Sequence, residues 1–139
     1  MDEMTFHEGE QAAQQRWQTT DLWDAARKAR LLWDHIPEAF QARIEAAPFF
    51  FLATSSPDGR CDCSFKGGGP GLIRLLDAWR FAFPDFDGNG AFMSLGNILL
   101  NPQVGCLFID PENLSYFGIS TQRRRGCRGT QRKTSSPER

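Results

Sequence analysis

The spacing of apolar residues is typical of helices in the N-terminal part of the chain and typical of strands after Pro48. Between residues 8 and 33, Trp, Leu and Ala return at helical intervals among Gln, Glu and Arg, which predicts two short helices. Thr20 or Asp21 is the predicted N-cap of the second, because either side chain can accept from the free amides of a first turn. A third helix is predicted to begin at Pro37 and to end before Pro48.

The pattern after Pro48 predicts strands joined by short turns. A hairpin is predicted from residues 49–54 and 60–65, since Pro-Asp-Gly between them is a turn sequence. Further strands are predicted at residues 72–76, 79–84, 104–110 and 114–119, and a helix over residues 91–100 that ends at Asn101-Pro102. Helices at the front and in one crossover predict a mainly β, α+β fold: a small antiparallel barrel preceded by N-terminal helices.

Composition and charge narrow the class of protein. The chain has 139 residues, 40% of them hydrophobic, which is enough for one domain with a real core. Its formal net charge of -1 provides no basic field, so we expect no nucleic-acid or membrane partner. The first residues are acidic and contain no apolar segment that would act as a secretion signal. We therefore expect a cytoplasmic protein.

The four cysteines do not have the spacing of a zinc site. Cys61 and Cys63 form a Cys-Asp-Cys pair, but Cys106 and Cys127 lie far from it and from each other, whereas a four-ligand site needs a second pair. We therefore expect no metal. Both thiols of the pair are predicted on the same side of a strand, as small residues facing inward or packed at a ligand's edge.

Several stretches between residues 6 and 110 resemble the pyridoxamine 5'-phosphate oxidase-like proteins, the FMN-binding split barrels. They are Phe6-His-Glu-Gly-Glu10 with Gln15-Arg16, Phe50-Phe-Leu-Ala-Thr-Ser with Pro57-Asp-Gly-Arg60, Asp62-Cys-Ser-Phe-Lys-Gly-Gly68, Phe83-Pro-Asp85 with Asp87-Gly-Asn-Gly90, and Ser94-Leu-Gly-Asn-Ile98 with Asn101-Pro102. Their order and spacing resemble an uncharacterised branch of that family. The resemblance implies a split barrel and a homodimer that binds FMN in a cleft between two barrels.

The candidate cofactor-binding residues combine this resemblance with the chemistry of their side chains. A hydroxyl and an ammonium group stand where a strand gives way to glycines, where they can meet a phosphate or a flavin carbonyl. Polar residues around the start of the helix over residues 91–100 add donors near the positive end of its dipole. The candidates are Ser64, Lys66, Gly67, Gly68, Asp85, Asn89, Ser94 and Asn97.

Each group of candidates also has a purely structural interpretation. The glycine run after Lys66 can be a flexible turn, and Asp87-Gly-Asn-Gly can be an ordinary hairpin turn. Lys66 by itself can be a solvated charge. The chain departs from the resemblance at Met93, where family members often carry Arg or Lys that can clamp the FMN phosphate.

The largest departure from the resemblance is the C-terminal segment. From residue 122 to residue 139 there are seven Lys or Arg and one acid, where the family continues through barrel strands. This predicts a barrel that is incomplete at its C-terminus; if the barrel is unfinished, an edge strand near residues 104–109 would lose its partner. We hypothesise a frameshift, since a shifted reading of residues 123–129 can encode Ala-Ala-Glu-Val-Val-Glu-Glu; the alternative is an RNA- or acid-binding arm.

These observations predict three segments and one principal function. The segments are an N-terminal helical segment (1–47), a truncated FMN-binding split barrel (48–120) and a basic disordered tail (121–139). The predicted function is noncovalent FMN binding by an oxidoreductase that acts on a small molecule, with the chemistry supplied by the flavin. No catalytic residue is predicted, since His7 and His35 suit capping or packing. The alternatives are a noncatalytic flavin- or haem-binding protein and a truncated, nonfunctional family member.

Overall fold

The fold contains every predicted helix and strand, with ends shifted by a few residues. The computed structural model describes residues 5–86 and 90–120. Its helices are α1 (Glu8–Arg16), α2 (Ala25–Leu31), α3 (Glu38–Ala46) and α4 (Met93–Leu100), and a 3-10 turn covers Thr20–Leu22. Its strands are β1 (Phe49–Ser55), β2 (Cys61–Gly67), β3 (Arg74–Asp77), β4 (Arg80–Ala82), β5 (Val104–Asp110) and β6 (Ser115–Ser120). None of the described helices is both long enough and apolar enough to cross a membrane.

The first of two compact units ends at Pro37 and holds the two N-terminal helices. His7 caps α1: its Nδ1 accepts from the amide of Gly9 at 3.1 Å, while Glu10 Oε2 accepts from the His7 amide at 2.9 Å. The predicted N-cap of α2 is wrong. Thr20–Leu22 forms the 3-10 turn, so α2 starts later, and Asp24 Oδ1 caps it by accepting from Arg27 N at 2.8 Å.

The second unit, from Glu38 onward, is an open barrel of antiparallel strands. One sheet has the order β2-β1-β5-β6 and the other pairs β3 with β4. The split-barrel fold class is thus confirmed, and among the described residues no ladder joins the two sheets into a closed barrel. The expectation that β5 lacks a partner is wrong, because β6 pairs with it from Gly105 to Asp110 and β1 pairs with its other edge.

Alternation along β1 separates the core from the outer face of the larger sheet. Phe50 and Leu52 point inward and are almost fully buried. The Phe50 ring stacks on Phe108 at 5.4 Å between centroids and meets Phe83 edge-on at 4.9 Å. Phe117 of β6 stacks on the other side of Phe108, at 5.1 Å. An aromatic core therefore fixes which face of β1 and β5 lies inside.

The opposite, outer face carries an exposed aromatic group and the two strand cysteines. Phe65 is 62% exposed, and its ring stacks on Phe49 at 5.4 Å and contacts Phe51 at 5.8 Å. Cys61 and Cys63 alternate with the inward residues of β2, and both are exposed. The expected inward orientation of the cysteines is therefore wrong, because the inward positions of β2 are taken by polar residues that α4 covers.

Candidate functional site

A row of polar side chains follows the inner face of β2. Asp62, Ser64 and Lys66 alternate with exposed residues and are all partly buried. In the antiparallel register with β1, Asp62 faces Thr54, and Lys66 faces Phe50. Residues paired in this way lie side by side on one face of a sheet. The row therefore runs from the polar end of β1 to the aromatic core.

Helix α4 contacts this row through Ser94, which is 6% exposed. The Ser94 hydroxyl donates to Asp62 Oδ2 at 3.0 Å. Its oxygen also lies 3.0 Å from Ser64 Oγ, and because the Ser94 proton is engaged by Asp62, Ser64 is the donor of that second bond. The two predicted site serines are thus joined in one chain of hydrogen bonds that ends on a carboxylate.

The next turns of α4 also attach to the sheet through polar groups. Asn97 Nδ2 donates to Oγ1 of Thr54 at 3.0 Å, and Thr54 is 4% exposed. Asn101, which follows the helix, donates through Nδ2 to the carbonyl of Ser55 at 3.1 Å. Positions 94, 97 and 101 follow the helical repeat, so one face of α4 carries all three contacts.

At the other end of the row, Lys66 forms an ion pair with Asp85. Lys66 Nζ lies 3.0 Å from Asp85 Oδ1, and the side chains are 19% and 9% exposed. Such a pair is shielded from salt more than a surface pair is. The structure therefore places Asp85 in contact with the single lysine among the candidates, which makes Lys66 an oriented group rather than a freely solvated charge.

Gly67 and Gly68, which follow Lys66, stand where a larger side chain would collide with neighbouring residues. A Cβ atom on Gly68 would lie 2.8 Å from Leu72 Cδ1, and one on Gly67 would lie 2.5 Å from the Phe65 ring. The amides of Gly68 and Gly69 both donate to the carbonyl of Pro48, at 3.2 and 3.0 Å. The remaining candidate, Asn89, lies outside the described residues.

We call these side chains, which form three hydrogen-bonded groups along the inner face of β1 and β2, the polar cluster. It consists of Thr54, Asp62, Ser64, Lys66, Asp85, Ser94 and Asn97. Thr54 and Asp62 were not among the residues predicted from the sequence. Polar residues alternate along β2 at positions 62, 64 and 66, and this pattern could have identified Asp62. Within the described residues, no buried side-chain nitrogen or oxygen atom lacks a partner. Every fully buried polar side-chain atom of the cluster therefore has a hydrogen-bond partner within the protein.

The donor set of the polar cluster fits a phosphorylated ligand. One ammonium group and two hydroxyl groups occupy a single face, and these are the side-chain donors that phosphate sites use. The two carboxylates of Asp62 and Asp85 outnumber the one cation, so the ionised cluster carries a formal charge of -1. Asp85 already partly neutralises Lys66, so a phosphate that approaches the ammonium group also meets the repulsion of this carboxylate.

Comparison with known proteins assigns the chain to a family. A solved structure of a tagged HupZ variant from Group A Streptococcus is similar with a TM-score of 0.47 and 23% identity, over 60% of this chain and 64% of that one. This chain thus spans less than two thirds of HupZ, and no curated protein matches it. The family model described as pyridoxamine 5'-phosphate oxidase matches residues 36–138. The resemblance noted in the sequence covered residues 6–110, so the match begins later and extends further. The chain belongs to the pyridoxamine 5'-phosphate oxidase family.

Proposed function

We propose that this protein binds FMN noncovalently at the polar cluster and acts as an oxidoreductase on a small molecule. The observation that carries the proposal is that Ser64 and Lys66 lie on the inner face of β2, where Ser94 in the first turn of α4 contacts Ser64. A family match over residues 36–138 supports it, because the resemblance implies a flavin site on this barrel. In this proposal Lys66 binds the phosphate, and the two serines donate to phosphate or flavin oxygens.

The other candidates take supporting roles in the proposed site. Asn97 holds α4 on the sheet through Thr54, and Gly67 and Gly68 leave the space that the Phe65 and Leu72 side chains occupy beside Lys66. Asp85 acts through Lys66, which it orients at 3.0 Å. Asn89 remains a proposed ligand. When bound, FMN would supply the hydride or electron transfer through its isoalloxazine ring.

A homodimer and a cytoplasmic location complete the proposal. The exposed ring of Phe65, packed against the half-buried rings of Phe49 and Phe51, supports self-association, because large contiguous apolar surfaces are uncommon on monomeric soluble proteins. Size measurement in solution with and without FMN tests this part. A chain that stays monomeric at saturating FMN would refute the dimer.

The test of the site compares FMN with riboflavin, which lacks the phosphate. Purified protein is titrated with each flavin while quenching of flavin fluorescence is followed. We expect Lys66→Met to weaken FMN binding by roughly tenfold or more and to leave riboflavin binding unchanged, since it removes one charge-assisted contact to phosphate. Lys28→Met is the matched control, because Lys28 lies on α2, in the other compact unit. Equal losses for both flavins would contradict a phosphate contact.

Turnover separates the enzyme from a noncatalytic flavin carrier. Protein loaded with FMN is mixed with NADH or NADPH, and bleaching of the flavin absorbance and its return in air are followed. Reduction and reoxidation faster than with free FMN would support the oxidoreductase. Tight binding with no acceleration would favour the carrier.

A further inference from the structure

Cys61 and Cys63 form an exposed pair of thiols on the outer face of β2. Both are free and exposed, although cysteine is among the residues most often buried. They lie two positions apart on an edge strand of the four-stranded sheet, so both side chains leave the same face. The polar cluster lies on the inner face, and the proposed flavin site therefore does not use them.

The residues paired with the two thiols on the neighbouring strand are small, and Phe65 follows Cys63 on the same face of β2. Cys63 is paired with Ala53, which in turn faces Gly105 on its other side. Cys61 is paired with Ser55. The sulfur of Cys61 makes a weak contact of 3.7 Å with the carbonyl of Gly59, which is easily exchanged. Both sulfurs are therefore accessible to a ligand from solvent.

Strand geometry disfavours a disulfide within the pair. Side chains two positions apart on a strand leave it in parallel, with Cβ atoms about 6.6 Å apart, whereas a disulfide needs roughly 3.5–4.5 Å. An atom between the sulfurs removes this difficulty. A metal ion bonded to both sulfurs in a straight line, with metal–sulfur bonds of about 2.3 Å, holds the sulfurs about 4.6 Å apart. Rotation of the two cysteine side chains about χ1 can bring the sulfurs to that distance.

We propose that Cys61 and Cys63 bind one copper(I) ion in a two-coordinate dithiolate site. Thiolates select soft ions such as copper(I). Among the described residues no group of three or more His, Cys, Asp or Glu could hold a metal, so two thiols are the whole donor set there. Each thiol loses its proton as its sulfur bonds the metal. Two protons are released per ion, no electron is transferred, and the resulting centre carries one negative charge.

Competition with a coloured chelator tests the copper site. Reduced protein is titrated without oxygen into the copper(I) complex of bathocuproine disulfonate, and the loss of its absorbance is followed. We expect one copper(I) ion per chain, and loss of that binding in both Cys61→Ser and Cys63→Ser. Because both side chains are exposed, these variants should fold normally, which circular dichroism verifies.

Two other cysteines provide matched controls. Cys127→Ser and Cys106→Ala should each retain one copper(I) per chain, since neither residue belongs to the proposed pair and Cys106 is buried. Bound copper(I) should also protect two thiols per chain from a thiol-labelling reagent. Failure to compete with the chelator, binding that survives Cys61→Ser, or half an ion per chain would overturn the proposal.

Discussion

Replacing Asp85 with Asn should strengthen FMN binding, although Asp85 is among the best-buried polar residues of the proposed site. Lys66 cannot give its full charge to a phosphate while Asp85 holds it at 3.0 Å. The variant keeps an oxygen atom that can accept from Lys66 but removes the negative charge. The lysine is then released to the ligand at lower cost, and repulsion between Asp85 and the phosphate disappears.

The size of the effect follows from the two kinds of hydrogen bond. A hydrogen bond to a charged group contributes about 1.5–3 kcal/mol; the ion pair lies near the upper end of that range, and the bond from the Lys66 ammonium to the neutral amide oxygen of Asp85→Asn lies near the lower end. Both partners are mostly buried, with 19% and 9% of their side chains exposed, so solvent screening reduces the difference only in part. The gain is therefore about 1–1.5 kcal/mol, which corresponds to roughly tenfold tighter binding. The same loss of charge pairing should lower the free energy of unfolding by a similar amount.

Flavin titration and urea denaturation check both effects on one sample. FMN affinity should rise about tenfold in Asp85→Asn while riboflavin affinity stays constant. Asp77→Asn is the control for overall charge, because Asp77 forms a more exposed ion pair with Arg80 at 2.7 Å on β3 and β4 and does not belong to the polar cluster. Unchanged or weaker FMN binding in Asp85→Asn would refute the competition argument. An equal rise in the control would assign the effect to overall charge.

Three further changes test other parts of the structure. Met93→Arg should tighten FMN binding roughly fivefold to tenfold in the same titration, whereas Met93→Leu should leave it unchanged. Met93 precedes Ser94 in the first turn of α4 and is 61% exposed, so an arginine there can reach the phosphate. Leu114→Gly should raise the free energy of unfolding in urea by roughly 0.5 kcal/mol. Leu114 has φ 51°, a left-handed conformation that glycine adopts without strain, and it is 87% exposed, so little packing is lost. A lower denaturation midpoint would contradict this. The Asn113 side chain, donating to Asp110 Oδ2 at 2.8 Å, holds the pKa of Asp110 below its ordinary value. Asn113→Ala should raise that pKa in an NMR titration. Ionised Asp110 stabilises the fold at a pH above its unfolded pKa, and this stabilisation is lost as the pH falls through the folded pKa; Asn113→Ala should make it smaller.

Local sequence signals were sufficient for the elements of the barrel unit. The Pro-Asp-Gly turn fixed the hairpin register, so that Phe51 faces Phe65, and Asn101 marked the end of α4. The same signals failed at α2, because Thr20, Asp21 and Asp24 are all good N-cap residues and only the chain's path distinguishes them. Local preference identifies candidates for a cap, whereas tertiary structure selects one.

The orientation of β2 could not be predicted from its own residues. One of its faces carries Cys61, Cys63 and Phe65, and the other carries Asp62 and Lys66. Hydrophobicity alone would bury the first face, which is why the cysteines were expected inside. The polar face is inside because α4 and Asp85 supply partners for every polar side chain on it, and such partners come from sequence positions about 20 to 30 residues away.

Lys66 already donates to Asp85, and the hydroxyl protons of Ser64 and Ser94 are engaged within the polar cluster, so a ligand must exchange hydrogen bonds with these groups. A bare phosphate would take Lys66 but leave Asp85 without its cation and add charge beside Asp62. A ligand that carries hydroxyl groups as well as phosphate can donate to a carboxylate while its phosphate takes the ammonium, so each broken bond is replaced. FMN has such hydroxyls on its ribityl chain. The charge of the cluster therefore favours FMN over inorganic phosphate, and phosphate at millimolar concentration should compete poorly with FMN in the titration. Strong competition by phosphate would show that Lys66 alone determines binding.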